Sequence, residues 1–137
     1  MLDVQVRGLR VDDGSEVAAV VALARGEGWP TFADTAVLRR LAAAPGTVTL
    51  VAIRTGAPSL GVVGFAHALT NGHHAYLSVV VVAPSLRGLG VGRQLVAAVF
   101  EISGVQRMDL LSSPGSEGFY DRLPNRQVVG YRLFPGE

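Results

Sequence analysis

The chain of 137 residues contains no cysteine. A disulfide scaffold, a thiolate zinc site and a cysteine nucleophile are therefore excluded. It contains no lysine either. All twelve basic residues are arginine, which rules out any mechanism that needs a lysine. Charge is sparse, at 17% of residues and a formal net charge of +1. That balance gives no electrostatic case for a nucleic acid or an anionic membrane as partner. The N-terminal stretch "MLDVQVRGLRVDDGSE" lacks the apolar core of a signal peptide. The longest apolar run, residues 77–84, is interrupted by Ser78 and is far too short to span a bilayer. The expectation is a cytoplasmic protein with no membrane and no nucleic-acid partner.

What is present suits one packed domain over residues 1–137, since 49% of residues are hydrophobic. Residues 4–11 alternate and predict a first strand. Asp13 and Glu16 have capping-box spacing ahead of a helix whose Val17, Val20, Val21 and Ala24 share one face. A second helix is expected to begin near Asp34 and to stop before Pro45-Gly46. Strands follow at 47–54, 60–69 and 74–82, separated by a turn at 55–59 and an Asn-Gly hairpin at 70–74. Residues 91–103 predict a helix with Val91, Leu95, Val99 and Ile102 inward. Residues 106–113 read as a strand, 114–123 as a short helix and 126–134 as a final strand, with Tyr76, Tyr131 and Phe134 packing on the sheet. The order β-α-α-β-β-β-α-β-α-β predicts an α/β fold with one mixed, mostly antiparallel sheet and helices on its faces. Its fourth and fifth strands form a parallel pair joined by a helical crossover.

The most informative stretch is "VVVVAPSLRGLGVGRQLV", residues 79–96. Three alternating glycines, Gly88, Gly90 and Gly92, join a strand to a helix. Glycine costs backbone entropy in such a place, so a steric demand is expected. A helix N-terminus carries unpaired N–H donors and a partial positive charge, and removing Cβ atoms lets an anion approach them. A phosphate or pyrophosphate site is the chemical expectation. A Walker loop would need Gly-Lys-Ser/Thr. The dinucleotide fingerprint has a different glycine spacing and a following acidic residue. Neither pattern is present.

Arg87-Gly88-Leu89-Gly90-Val91-Gly92, with Val82 and Pro84 upstream and "QLV" downstream, resembles the R/Q-x-x-G-x-G/A signature of the GNAT-type N-acetyltransferases. The element order is similar to that family's over nearly the whole chain. The resemblance implies acetyl-CoA, or another acyl-CoA, as cosubstrate and no metal. Its pyrophosphate would lie on the N–H groups of Arg87, Gly88, Leu89, Gly90, Val91, Gly92 and Arg93. Its pantetheine arm would bond the backbone of Val80 and Val82, between splayed fourth and fifth strands. Arg87 and Arg93 would add side-chain charge.

"GFYDRLPNRQVVGYRLF" resembles the family's C-terminal segment and places Tyr120 near the CoA sulfur, where a phenol can act as general acid. Two departures stand out. Leu123-Pro124-Asn125 replaces the family's Leu-Gly-Phe. Ser78 and Val79 stand where many relatives carry a carboxylate base on the fourth strand. Candidate acceptor-site residues are Glu27, Trp29, Phe32 and Asp34 in and beside "GEGWPTF", together with His73. Asp34 competes for an N-cap role, Trp29 for a core role and His73 for an exposed turn, while His67 reads as a core or cleft histidine. The implied activity is acyl transfer, acetyl first, to a primary amine of a small molecule or peptide. An acyl-CoA-binding sensor on the same fold stands as the alternative. A homodimer paired through the final strand is a further expectation.

Overall fold

Short hairpin connections bring β2 (Thr47–Arg54), β3 (Val62–Thr70) and β4 (His74–Val82) together as antiparallel neighbours. They form the centre of a five-stranded sheet in the computed structural model, which describes residues 1–56 and 61–136. The turn expected at 55–59 lies in part outside the described residues. β1 (Val4–Gly8) adds antiparallel to β2, and β5 (Arg107–Asp109) adds parallel to β4. Helices α1 (Gly14–Gly26) and α2 (Thr35–Ala43) lie before β2, α3 (Val91–Ser103) crosses from β4 to β5, and α4 (Glu117–Asp121) follows β5. The predicted order holds through α4.

Both faces of the sheet are covered, so β2 and β3 are buried almost without alternation. On one face Val17, Val20, Val21 and Ala24 of α1 and Leu38 of α2 pack on Val51, Ile53, Phe65, Val79 and Val81. On the other, Val91, Leu95, Val96 and Val99 of α3 pack on Leu50, Ala52, Ala66 and Leu77. Gly64 lets α3 approach, since a Cβ there would lie 2.9 Å from the Val81 carbonyl and 3.2 Å from Leu95.

The helix starts are fixed by side chains. Asp13 accepts from the amides of Ser15 and Glu16 at 3.0 and 3.2 Å, and Asp34 from the amide of Val37 at 3.0 Å. Glu16 does not close a capping box. Its buried carboxylate instead takes two 2.8 Å hydrogen bonds from Arg7 and one of 2.9 Å from the Arg10 amide. The Arg7 bonds hold its pKa below the usual carboxylate range despite the cost of burial.

Four expectations need correction. Ile102 is exposed, and Val96 takes its inward place on α3. β5 is three residues long, because the sheet parts beyond it. Residues 126–134 form no strand: among the described residues no backbone hydrogen bond involves the segment from Pro124 to Gly136. Tyr131 and Phe134 consequently stand about four-fifths exposed, at 80% and 78%, rather than packed on the sheet.

Candidate active site

β4 has β3 along one edge but β5 along the other only from His74 to Tyr76. From Leu77 to Val82 the second edge has no strand partner among the described residues. The amide of Ala83 donates to the Val63 carbonyl at 2.8 Å. By the two-residue period of an antiparallel ladder, the backbone groups of Val79 and Val81 then point to β3, and those of Val80 and Val82 point into the gap. The Val82 carbonyl accepts Arg87 Nε at 3.3 Å.

A β-bulge sits beside this gap. His67 pairs with Val79 and Ala68 with Leu77, leaving Ser78 as the extra residue. One inserted residue reverses which face each later side chain takes. Leu77 accordingly packs toward α3, whereas Val79 and Val81 pack toward α1.

The gap opens into a cleft of about 1100 Å³ lined by residues 77–82 of β4, the glycine turn, α4 and the end of α1. That volume lies just above the roughly 300–1,000 Å³ usual for small-molecule and cofactor sites. The three glycines serve two different demands. Gly88 and Gly90 have φ of +78° and +86°, a region open chiefly to glycine. Gly92 has an ordinary helical place, but a Cβ on it would lie 2.9 Å from the Phe119 ring of α4. Gly92 therefore seats α4 against α3. The amides of Gly88, Leu89, Gly90, Val91, Gly92 and Arg93 donate to no group among the described residues. Beside Gly88 a Cβ would meet nothing within 4 Å.

Tyr120 lines the cleft from α4, half-buried, with its ring edge-on to Phe119 at 4.9 Å between centroids. Burial raises the pKa of its phenol, which keeps the hydroxyl protonated at neutral pH. Four arginines line the same cleft, Arg87, Arg93, Arg122 and Arg132, against a single carboxylate, Glu27. Arg87 forms an ion pair with Glu27, and Arg93 donates to the Arg122 carbonyl at 3.4 Å.

The structure thus brings Val80, Val82, Arg87, Gly88, Gly90, Val91, Gly92, Arg93, Tyr120, Glu27 and Trp29 around one cleft. Leu89 of the same turn does not line it, and its carbonyl accepts from the Leu2 amide at 2.8 Å. Three other candidates lie elsewhere. Phe32 is 5% exposed and packs against Phe65 and His67, so it offers no surface to an acceptor. Asp34 is engaged as the α2 cap. His73 is exposed in the hairpin turn, at the end of β4 remote from the glycine turn. His67 is buried with Nδ1 2.7 Å from Thr49 Oγ1, and burial lowers its pKa. The bulge at Ser78, the seat of Phe119 on Gly92 and the Glu27–Arg87 pair were not expected from sequence. Only the first leaves a signal there, a lone serine interrupting an apolar run.

Residues 14–123 match the sequence model of the acetyltransferase (GNAT) family. Solved structures share the fold over nearly the full chain. An acetyltransferase of Trypanosoma brucei is 25% identical with a TM-score of 0.70, covering 97% of this chain and 99% of that one. The aminoglycoside acetyltransferase AAC(6′)-Iy, bound to a bisubstrate analogue joining CoA to acetylneamine, is 23% identical with a TM-score of 0.74, covering 98% and 99%. An aminoglycoside acetyltransferase from an uncultured soil metagenomic sample is 18% identical with a TM-score of 0.76, covering 99% and 100%. No curated protein matches the chain in sequence.

Proposed function

The chain belongs to the GNAT acetyltransferase family, and from that membership we propose that it transfers an acetyl group from acetyl-CoA to a primary amine by direct attack. The observation that carries this reading is the continuity of the cleft. The open β4 edge at Val80 and Val82 shares the cleft with five residues whose amides have no partner among the described residues, Gly88, Gly90, Val91, Gly92 and Arg93, and with Tyr120.

The residues present fit an acyl-CoA. The amides of Gly88 to Arg93 and the cleft arginines suit its phosphates. The gap-facing groups of Val80 and Val82 suit an extended, amide-bearing arm, which adds to a sheet edge as a strand does. When bound, this cosubstrate supplies an acyl group already activated as a thioester. A gap-facing N–H of β4, near Val82, polarises the thioester carbonyl. As the acceptor nitrogen forms its bond to carbon and the carbon–sulfur bond breaks, the Tyr120 hydroxyl gives its proton to the sulfur. With Ser78 and Val79 where a carboxylate could stand, water takes the acceptor's proton and returns one to the Tyr120 oxygen. Glu27 and Trp29 face the acceptor, a small-molecule or peptide amine. No covalent enzyme intermediate is needed.

We also propose a homodimer in which residues 126–134 pair with a sheet edge of a second copy. Val128, Val129, Tyr131, Leu133 and Phe134 are all at least 72% exposed, on backbone without hydrogen-bond partners among the described residues.

The test of the activity is thiol release from acetyl-CoA across a panel of primary amines. Release with at least one amine is expected. Binding of acetyl-CoA without release for any amine would favour the sensor instead, and no binding would contradict both.

A further inference from the structure

Glu27 caps the end of α1, and Arg87 opens the glycine turn. Their ion pair lies in the lining of the cleft. The same guanidinium donates through Nε to the Val82 carbonyl at 3.3 Å. One side chain thus ties together the end of α1, the glycine turn and the open edge of β4.

Two features distinguish this pair from an ordinary surface salt bridge. Glu27 is the sole carboxylate among the cleft-lining residues, so while it is paired the cleft presents only positive charge to an incoming ammonium. The Val82 carbonyl, meanwhile, is one of the few groups through which the open edge can take a strand-like ligand, and Arg87 occupies it.

We propose that Glu27 competes with the cosubstrate's phosphates for Arg87, and that the carboxylate released on binding becomes the seat of the acceptor's ammonium. This rests on the acyl-CoA reading above. In the empty protein Arg87 holds Glu27 and the Val82 carbonyl. The pyrophosphate carries two negative charges to the carboxylate's one, and the turn amides hold it beside Arg87, so it draws the guanidinium away. Both contacts then open together. The β4 edge is free for the arm, and Glu27 is left as the one unpaired anion of the cleft wall. Acceptor binding is thereby conditional on cosubstrate binding, through a named pair of side chains. The Arg87 and Glu27 side chains are 51% and 29% exposed. Solvent screens such a pair, and the expected effect is a few-fold.

The experiment is calorimetric titration of CoA into the wild-type protein and into Glu27→Gln, which keeps the side chain's size. The expected result is CoA binding roughly 2–5-fold tighter in Glu27→Gln, since the internal competitor is removed. In an Arg87→Ala background the same substitution should leave CoA affinity unchanged. Equal or weaker binding by Glu27→Gln would overturn the competition, as would tightening that persists without Arg87. Failure of both the wild type and Glu27→Gln to bind CoA would contradict the acyl-CoA reading itself, and is distinguishable for that reason.

Discussion

Residues 79–96 and residues 126–134 are both rich in β-branched, aliphatic or aromatic side chains, yet they reach opposite ends of the burial scale. Val79, Val81, Val91 and Leu95 are at most 3% exposed, whereas Val128, Val129, Tyr131, Leu133 and Phe134 are 72–87% exposed. The difference lies in what each stretch meets. β4 is delivered to β3 by a hairpin in which Asn71 accepts from the amides of His73 and His74 at 2.9 Å. The glycine turn then folds α3 back on the same sheet. The later stretch leaves α4 through Leu123-Pro124-Asn125 and finds no edge among the described residues. β-propensity describes how well a residue fits a pleated, half-buried surface; it does not supply the neighbour.

The largest test of that contrast falls at α4, which leans on the first stretch through Phe119 and leads into the second. Tyr120→Phe keeps the ring and removes the proton. It should lower kcat on the order of 10²-fold while leaving CoA affinity unchanged. Full activity in that variant would reduce this part of α4 to packing.

Acid sharpens the comparison, because its targets lie only in the packed part. His67 is buried with a lowered pKa, so the unfolded chain takes up its proton first. Stability should begin to fall as pH drops below about 6.5. Glu16, also lowered, stabilises the fold above the ordinary carboxylate range and loses that contribution as pH falls through its folded value. Glu16→Gln leaves Arg7 without its carboxylate and should cost about 2 kcal/mol at pH 7. The difference from the wild type should shrink at pH 4, as read by urea unfolding. A constant difference across that range would deny the ion pair its role.

The smallest expected effect on stability belongs to the unpaired stretch. Val129 is 80% exposed, so Val129→Asp should change monomer stability by less than about 0.5 kcal/mol. It should nonetheless shift the molecular mass by light scattering from dimer to monomer. A marked loss of monomer stability would show that the stretch packs on its own chain.

Much of this architecture was legible in the sequence, for local reasons. The caps at Asp13 and Asp34, the hairpin and the alternation of β4 are encoded within a few residues of where they act. The glycine turn was legible too, although its third glycine answers to Phe119, 27 positions away. What escaped depended on distant partners. Glu16 fits a capping box until Arg7 and the Arg10 amide compete for it. Phe32 looks available until Phe65 and His67 close over it. Glu27 and Arg87 meet only because the end of α1 and the glycine turn line the same cleft. The final strand failed because an edge is a property of the whole sheet, and no local pattern reports it.

The central claim is that the glycine turn is a cradle for the phosphates of an acyl-CoA, and one titration addresses it most directly. CoA is titrated calorimetrically into Gly88→Asp and Gly88→Asn. Both side chains tolerate the left-handed backbone comparatively well, both project into open space, and they differ in charge rather than size. The cradle predicts binding at least roughly ten-fold weaker in the Asp variant than in the Asn variant, from like-charge repulsion at close range. Equal affinities would contradict it.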